Sequence, residues 1–147
     1  MAVIENRVEI DRPQEEVFDY LSDLKNELEW NPDVVSMERE NDGPLGVGTK
    51  YRAKWRQSGV ITCECTRFDR PNGWTWVNGG PVEVVLDIRL MPRDGGTTLV
   101  SRFDAHPRGF FRVIFPLFLM IMKRQEKTNM ANAKAAMEGG QRSVRSR

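Results

Sequence analysis

Histidine and cysteine are almost absent from this chain: its 147 residues hold one His, His106, and two Cys, Cys63 and Cys65. So few soft or imidazole ligands exclude a metal-binding set, and two cysteines make no disulfide framework. On a strand the pair would share a face about 6.5–7 Å apart, too far for comfortable bridging. An excess of one charge is missing as well: the net charge is +1. That balance does not call for nucleic acid, and no nucleic-acid reader motif occurs. Residues 1–45 nevertheless carry 13 Asp/Glu against 4 Lys/Arg, and the remainder 18 Lys/Arg against 8, a split that can be neutralised within one fold or across a dimer. The apolar run Phe110–Met122 is too short and too interrupted for a transmembrane span. The opening Met1-Ala-Val-Ile-Glu lacks a secretory apolar segment, so a cytoplasmic protein with free thiols is expected. No phosphate-cradling glycine loop, nucleophile–base–orienter set or internal repeat is visible, and no cofactor is expected.

What is present begins with one informative block. Val8-Glu-Ile10 ends a first strand from Val3, and Pro13 suits a first helical position because its φ is fixed and it lacks an N–H. Glu15 and Glu16 follow in the first turn, where the helix dipole favours negative charge. Val17, Phe18, Leu21, Leu24 and Leu28 hold one apolar stripe across two short helices broken at Ser22/Asp23. Trp30-Asn-Pro32 stops them.

Strands then dominate. Val34–Glu40 precedes a turn-rich loop through Gly48, and Thr49–Arg56 alternates Tyr51, Ala53 and Trp55 against charged neighbours. Val60–Asp69, Trp74–Asn78, Val82–Met91 and Thr97–Ala105 follow, separated by glycine and proline turns every eight to twelve residues. The pattern predicts an antiparallel meander. From Phe110 to Met137 the sequence predicts a helix of about 40 Å, apolar nearly all round at first and mostly polar later. Pro116 predicts a kink or two pieces. Gly139-Gly140 predicts the stop, giving one domain over 1–139 and a loose basic tail over 140–147.

A helix pair after the first strand, six further strands and a long final helix resemble the START-like, or SRPBCC, superfamily in its polyketide cyclase/dehydrase-type branch. Pro13, Val17-Phe18, Leu21-Ser-Asp-Leu24, Trp30-Asn-Pro32, Gly46-x-Gly48 and Asp69-x-Pro71 followed by Trp74 and Trp76 carry the likeness. It implies an α+β helix-grip fold, a curved antiparallel sheet of about seven strands around the C-terminal helix, with an apolar cavity between them. Tyr51, Ala53 and Trp55 would face inward, with Val82, Val84, Leu86, Ile88 and Leu90 on the sixth strand. Leu99, Ser101, Phe103 and Ala105 form the matching row on the seventh, and Phe111, Ile114, Phe118 and Met122 the helix side. Small Ala53 and Ser101 leave room between larger neighbours. Trp55 and Trp76 are candidates for the wall, since a buried indole N–H needs a partner, whereas Trp30 reads as an anchor for the helix end.

Polar candidates are few. His106, beside Pro107 at the strand-to-helix corner, would be an acid or base if it reached the cavity mouth; an ordinary surface histidine is the simpler reading. Glu64 would serve similarly if it faced inward, although a solvated position is the simpler one. Tyr51, Asn78 and Ser101 would orient an apolar ligand by hydrogen bonds. The expected function is binding of a small hydrophobic molecule, whether lipid, isoprenoid or polyketide-like. A cyclase or dehydratase in the same cavity is the enzymatic alternative. The third is an interaction module, in which the Phe110–Met122 surface meets a membrane, a partner or a second copy.

Overall fold

The computed structural model describes residues 2–56, 59–80 and 82–145, with side chains for 3–56, 59–80, 82–110 and 112–139. Period-two alternation becomes seven strands: β1 Ala2–Ile10, β2 Val34–Arg39, β3 Lys50–Trp55, β4 Val60–Asp69, β5 Gly73–Asn78, β6 Val82–Arg93 and β7 Gly96–Pro107. They form one antiparallel sheet in the order β1-β7-β6-β5-β4-β3-β2. A tight Asp94-Gly95 turn joins β6 to β7, with Gly95 at φ 72°, the backbone such hairpins demand. One face supplies the core. Tyr51 pairs with Cys63, Trp76 with Leu86 and Leu90 with Leu99, and all but half-buried Leu86 are fully enclosed. At Gly73 a side chain would meet the Ile88 carbonyl oxygen at 2.2 Å, so β5 and β6 approach closely only because no Cβ is there.

Between β1 and β2 lie α1 Gln14–Leu21, a single 3-10 turn Leu24–Asn26 and α2 Glu27–Trp30. Pro13 sits one position earlier than expected, at the N-cap, where its carbonyl accepts from Val17 N at 3.0 Å. Val17, Phe18, Leu21 and Leu24 are buried as the stripe predicts, but Leu28 is 46% exposed. The cause is the 3-10 turn: three residues per turn instead of 3.6 rotate the following helix. Glu27 and Trp30, three and six residues past Leu24, therefore take the inward side.

The last element, α3 Phe111–Arg145, is one helix with Pro116 inside it. Of the two outcomes expected at Pro116, separation into two pieces does not occur. Proline removes only the bond to the Arg112 carbonyl, and Arg112 lies in the exposed first turn, where water is available. Nor does the helix stop at Gly139-Gly140. Glycine there costs about 1 kcal/mol, and the neighbouring turn is held firmly. Glu138 accepts from Asp11 N and Lys134 Nζ, each at 2.8 Å; Arg12 Nε donates to the Met137 carbonyl at 3.1 Å, and Lys134 also donates to the Glu9 carbonyl. These contacts fasten the C-terminal half of α3 to the end of β1. Met130, Ala133 and Met137 pack into the main core beside α1, while Phe115 joins Ile4, Val84, Phe103 and Ala105 in a second cluster.

Candidate functional site

Between the two clusters the packing opens. A cavity of about 480 Å³ lies between the concave face of the sheet, α2 and the middle of α3, within the size range of small-molecule sites. Its apolar wall is built by alternate residues of four strands: Ile61 and Cys63 from β4 with Gly59 before it, Trp76 from β5, Val82, Val84 and Leu86 from β6, and Phe103 from β7. Phe118, Met122 and Met130 of α3 cover it, and Leu24, Trp30 and Trp55 close one side. Polar groups collect at the α2–α3 end, where Glu27, Asn31, Asp33, Gln125, Glu126 and Asn129 also reach the lining.

Glu27 is the most elaborately held of these. Its Oε2 accepts from Trp55 Nε1 and from Asn31 Nδ2, both at 3.0 Å, while Asn31 Oδ1 accepts from Asp33 N at 3.0 Å. Withdrawal from water nevertheless raises the Glu27 pKa above the usual carboxylate value, the two hydrogen bonds opposing that rise. Glu126 faces it from α3. Desolvation, then repulsion from Glu27, pushes its pKa up to about 7, against a hydrogen bond with Asn129. Two carboxyl groups thus oppose each other at one end of an apolar chamber, and no Lys, Arg or His is among its described lining residues. On β5, Trp76 and Asn78 also line the chamber. Trp76 Nε1 and Asn78 Oδ1 are buried without a hydrogen-bond partner among the described residues.

The family model described as polyketide cyclase / dehydrase and lipid transport matches residues 1–138. The chain belongs to that family. Solved structures of the same fold include TTHA0849 from Thermus thermophilus, at 16% identity and a TM-score of 0.78 over 95% of this chain and 99% of that one. The di-domain ARO/CYC StfQ from the steffimycin biosynthetic pathway is similar at 11% identity and a TM-score of 0.74, over 96% of this chain and 51% of that one. The Aha1 dimer from Colwellia psychrerythraea is similar at 15% identity and a TM-score of 0.68, over 94% and 97%. No curated protein matches the chain.

Within this helix-grip member the residues singled out from sequence separate into three groups. Trp55, Trp76, Asn78, Val84, Leu86, Phe103, Phe118 and Met122 line the cavity. Tyr51, Ala53, Ile88, Leu99 and Ser101 face inward but are packed into the core and do not line it. Tyr51 in particular commits its hydroxyl to Asp23 Oδ1 at 2.6 Å, bracing the break after α1. Trp55 donates to Glu27, so its indole is satisfied by the protein itself.

The third group lies elsewhere. Ile114 is 39% exposed; the inward stripe of α3 runs through Phe115, and Ile114 is about 100° around the helix from it. Phe111 lies outside the residues whose side chains are described. Glu64 is exposed, between inward Cys63 and Cys65. His106 is half-buried on the other face of β7, with Nε2 3.2 Å from Asp104 Oδ1, since inward Phe103 and Ala105 alternate with outward Asp104 and His106. Cys63, in the cavity wall, and Cys65 beyond it are free and buried. Burial, with Glu27 nearby, pushes the Cys63 thiol up to about 12, which keeps it protonated and a poor nucleophile.

Sequence reasoning misses the polar end of the chamber, Glu27, Asn31, Asp33, Gln125, Glu126 and Asn129. Glu126 does leave a signal: it stands four residues after Met122 and four before Met130, a charge inside the apolar stripe. Glu27 becomes visible only through the 3-10 turn.

Proposed function

We propose that the protein binds a small, largely apolar molecule in the chamber between the sheet and α3. The observation that carries this reading is the chamber itself, about 480 Å³ of space with an apolar wall and a few polar groups gathered at one end. A site for such a ligand has that composition, burying the apolar body and orienting it through few contacts. Lipid, isoprenoid and polyketide-like molecules are the candidate classes. Decanol is a suitable neutral probe. At a hundredfold excess over Kd it should add about 2.7 kcal/mol of stability, raising Tm by roughly 5–10 °C. Met122→Trp, which fills the chamber from the half-buried side of α3, should abolish that rise without lowering the ligand-free Tm by more than a few degrees. An unchanged rise in the variant, or none in the wild type, would sink the reading.

A second reading concerns the other side of the same helix. Phe110, Val113, Ile114, Leu117, Met120 and Ile121 are exposed large apolar residues, with Val113 at 74% and Met120 at 69%. Their spacing of three and four gives a continuous stripe, which one isolated molecule leaves in water. Association of two copies through this stripe would cover it, and the similar Colwellia protein is itself a dimer. Light scattering should then show a dimer in the wild type and a monomer in Leu117→Glu, with decanol binding unaltered. A wild-type monomer at high concentration overturns the dimer.

A further inference from the structure

Polar lining usually tells which end of a ligand goes where, and here the lining carries one sign of charge only. Glu27, Asp33 and Glu126 contribute carboxyl groups, and none of the described lining residues is basic. An anionic head such as a fatty-acid carboxylate would meet like charge in a place poor in water, which costs several-fold more than it would in bulk solvent. A protonated amine meets the opposite. Each ammonium has three donors and no acceptor, and the Glu27 and Glu126 carboxyl groups together supply acceptors in excess. Their mutual repulsion is relieved when a cation enters.

A second and independent observation in the same chamber fits a bound ligand. The Trp76 indole N–H and the Asn78 amide oxygen, two residues apart on the inward face of β5, are buried and unpaired among the described residues, Trp76 being only 4% exposed. Leaving such groups unmatched is costly. A donor on the ligand, such as an ammonium N–H, would match the amide oxygen.

Resting on the binding function proposed above, we propose that the ligand is an apolar amine, its ammonium seated at the Glu27–Glu126 end and its hydrocarbon body against Val84, Leu86, Phe103 and Phe118. The pair discriminates among amphiphiles of one chain length by the charge of the head.

Decylamine, decanol and decanoate test this by titration calorimetry at neutral pH, where the amine is protonated and the acid ionised. Decylamine should bind at least about tenfold more tightly than decanol, a difference of about 1.4 kcal/mol, and decanoate more weakly than either. Glu126→Gln and Glu27→Gln should each cost decylamine about tenfold or more while decanol stays within about threefold. Glu126→Gln removes a strained charge and is not expected to compromise folding. Equal binding of decylamine and decanol, tighter binding of decanoate, or unchanged decylamine affinity in both variants overturns the amine while leaving the apolar chamber in place. If none of the three probes binds, the chamber's binding function falls together with it.

Discussion

Glu126→Gln should stabilise the protein by about 2–3 kcal/mol at pH 8 and hardly at all at pH 4.5. In the folded state the Glu126 carboxyl titrates at about 7, against an ordinary value of 4.5. Between those limits the folded protein holds a proton that the unfolded chain releases. Folding stability therefore falls as pH rises through the window from 4.5 to 7, and the loss is complete above it. Below 4.5 both states are protonated and the penalty vanishes. Facing groups do not offset this: Glu27 on α2 is itself raised, Asp33 is acidic, the Cys63 thiol on β4 is neutral, and Asn129 contributes only a hydrogen bond. Glutamine keeps the size and the polar contact but has no charge to bury. Elsewhere Glu9, Asp19, Asp87 and Glu138 have lowered values and lose stability on acidification, so the informative quantity is the variant-minus-wild-type difference. Urea unfolding at the two pH values measures it. A difference that does not change with pH would mean that Glu126 is not held in this raised state.

Phe18→Ala should be the most damaging single truncation in the first half of the chain, costing about 3–5 kcal/mol and lowering Tm by roughly 10 °C. Phe18 is 1% exposed and sits edge-on to Phe68 at 5.0 Å and to Trp74 at 5.2 Å. Those rings belong to β4 and β5, so one side chain docks α1 on the sheet. Its loss leaves a cavity walled by two other aromatics that are fixed by strand pairing and cannot collapse inward. Val47→Ala, at a position 70% exposed in the loop before β3, should change stability by no more than about 0.5 kcal/mol. Thermal unfolding of both variants provides the check; a Phe18→Ala loss as small as that of Val47→Ala would contradict the packing.

The strands are the most legible part of the sequence because their signal is local. Tyr51, Ala53 and Trp55 alternate with four charged residues, and Asp94-Gly95 marks its hairpin without help from the rest of the chain. The family resemblance adds how those strands close around the helix. Phase is harder to read. An unbroken helical count places Leu28 inward, and a single 3-10 turn moves the inward position to Glu27. Ile114 reads as part of the buried stripe because it lies four residues from Phe118, although the stripe's centre runs one residue later, through Phe115. Hydrogen-bond partnerships are not legible at all. Nothing near Tyr51 in sequence shows that Asp23 takes its hydroxyl, nor that Glu27 takes the Trp55 indole. The carboxyl pair lies at the end of both difficulties, since its members are 99 residues apart and acquire their character from being brought together.

The order of strands in the sheet has a consequence for synthesis. β1 is made first, yet it pairs only with β7, in a register running from Ala2 opposite Ala105 to Ile10 opposite Thr97. Until that distant strand has left the ribosome, β1 has no ladder to join, and α3, which fastens to its end, comes later still. Such long-range closure is slow and leaves a hydrogen-bonding edge open in the growing chain. On β1, Glu5, Arg7 and Glu9 stand on the side away from buried Ile4 and Ile10. They place alternating charge along the waiting strand, which discourages one nascent chain from pairing with the next.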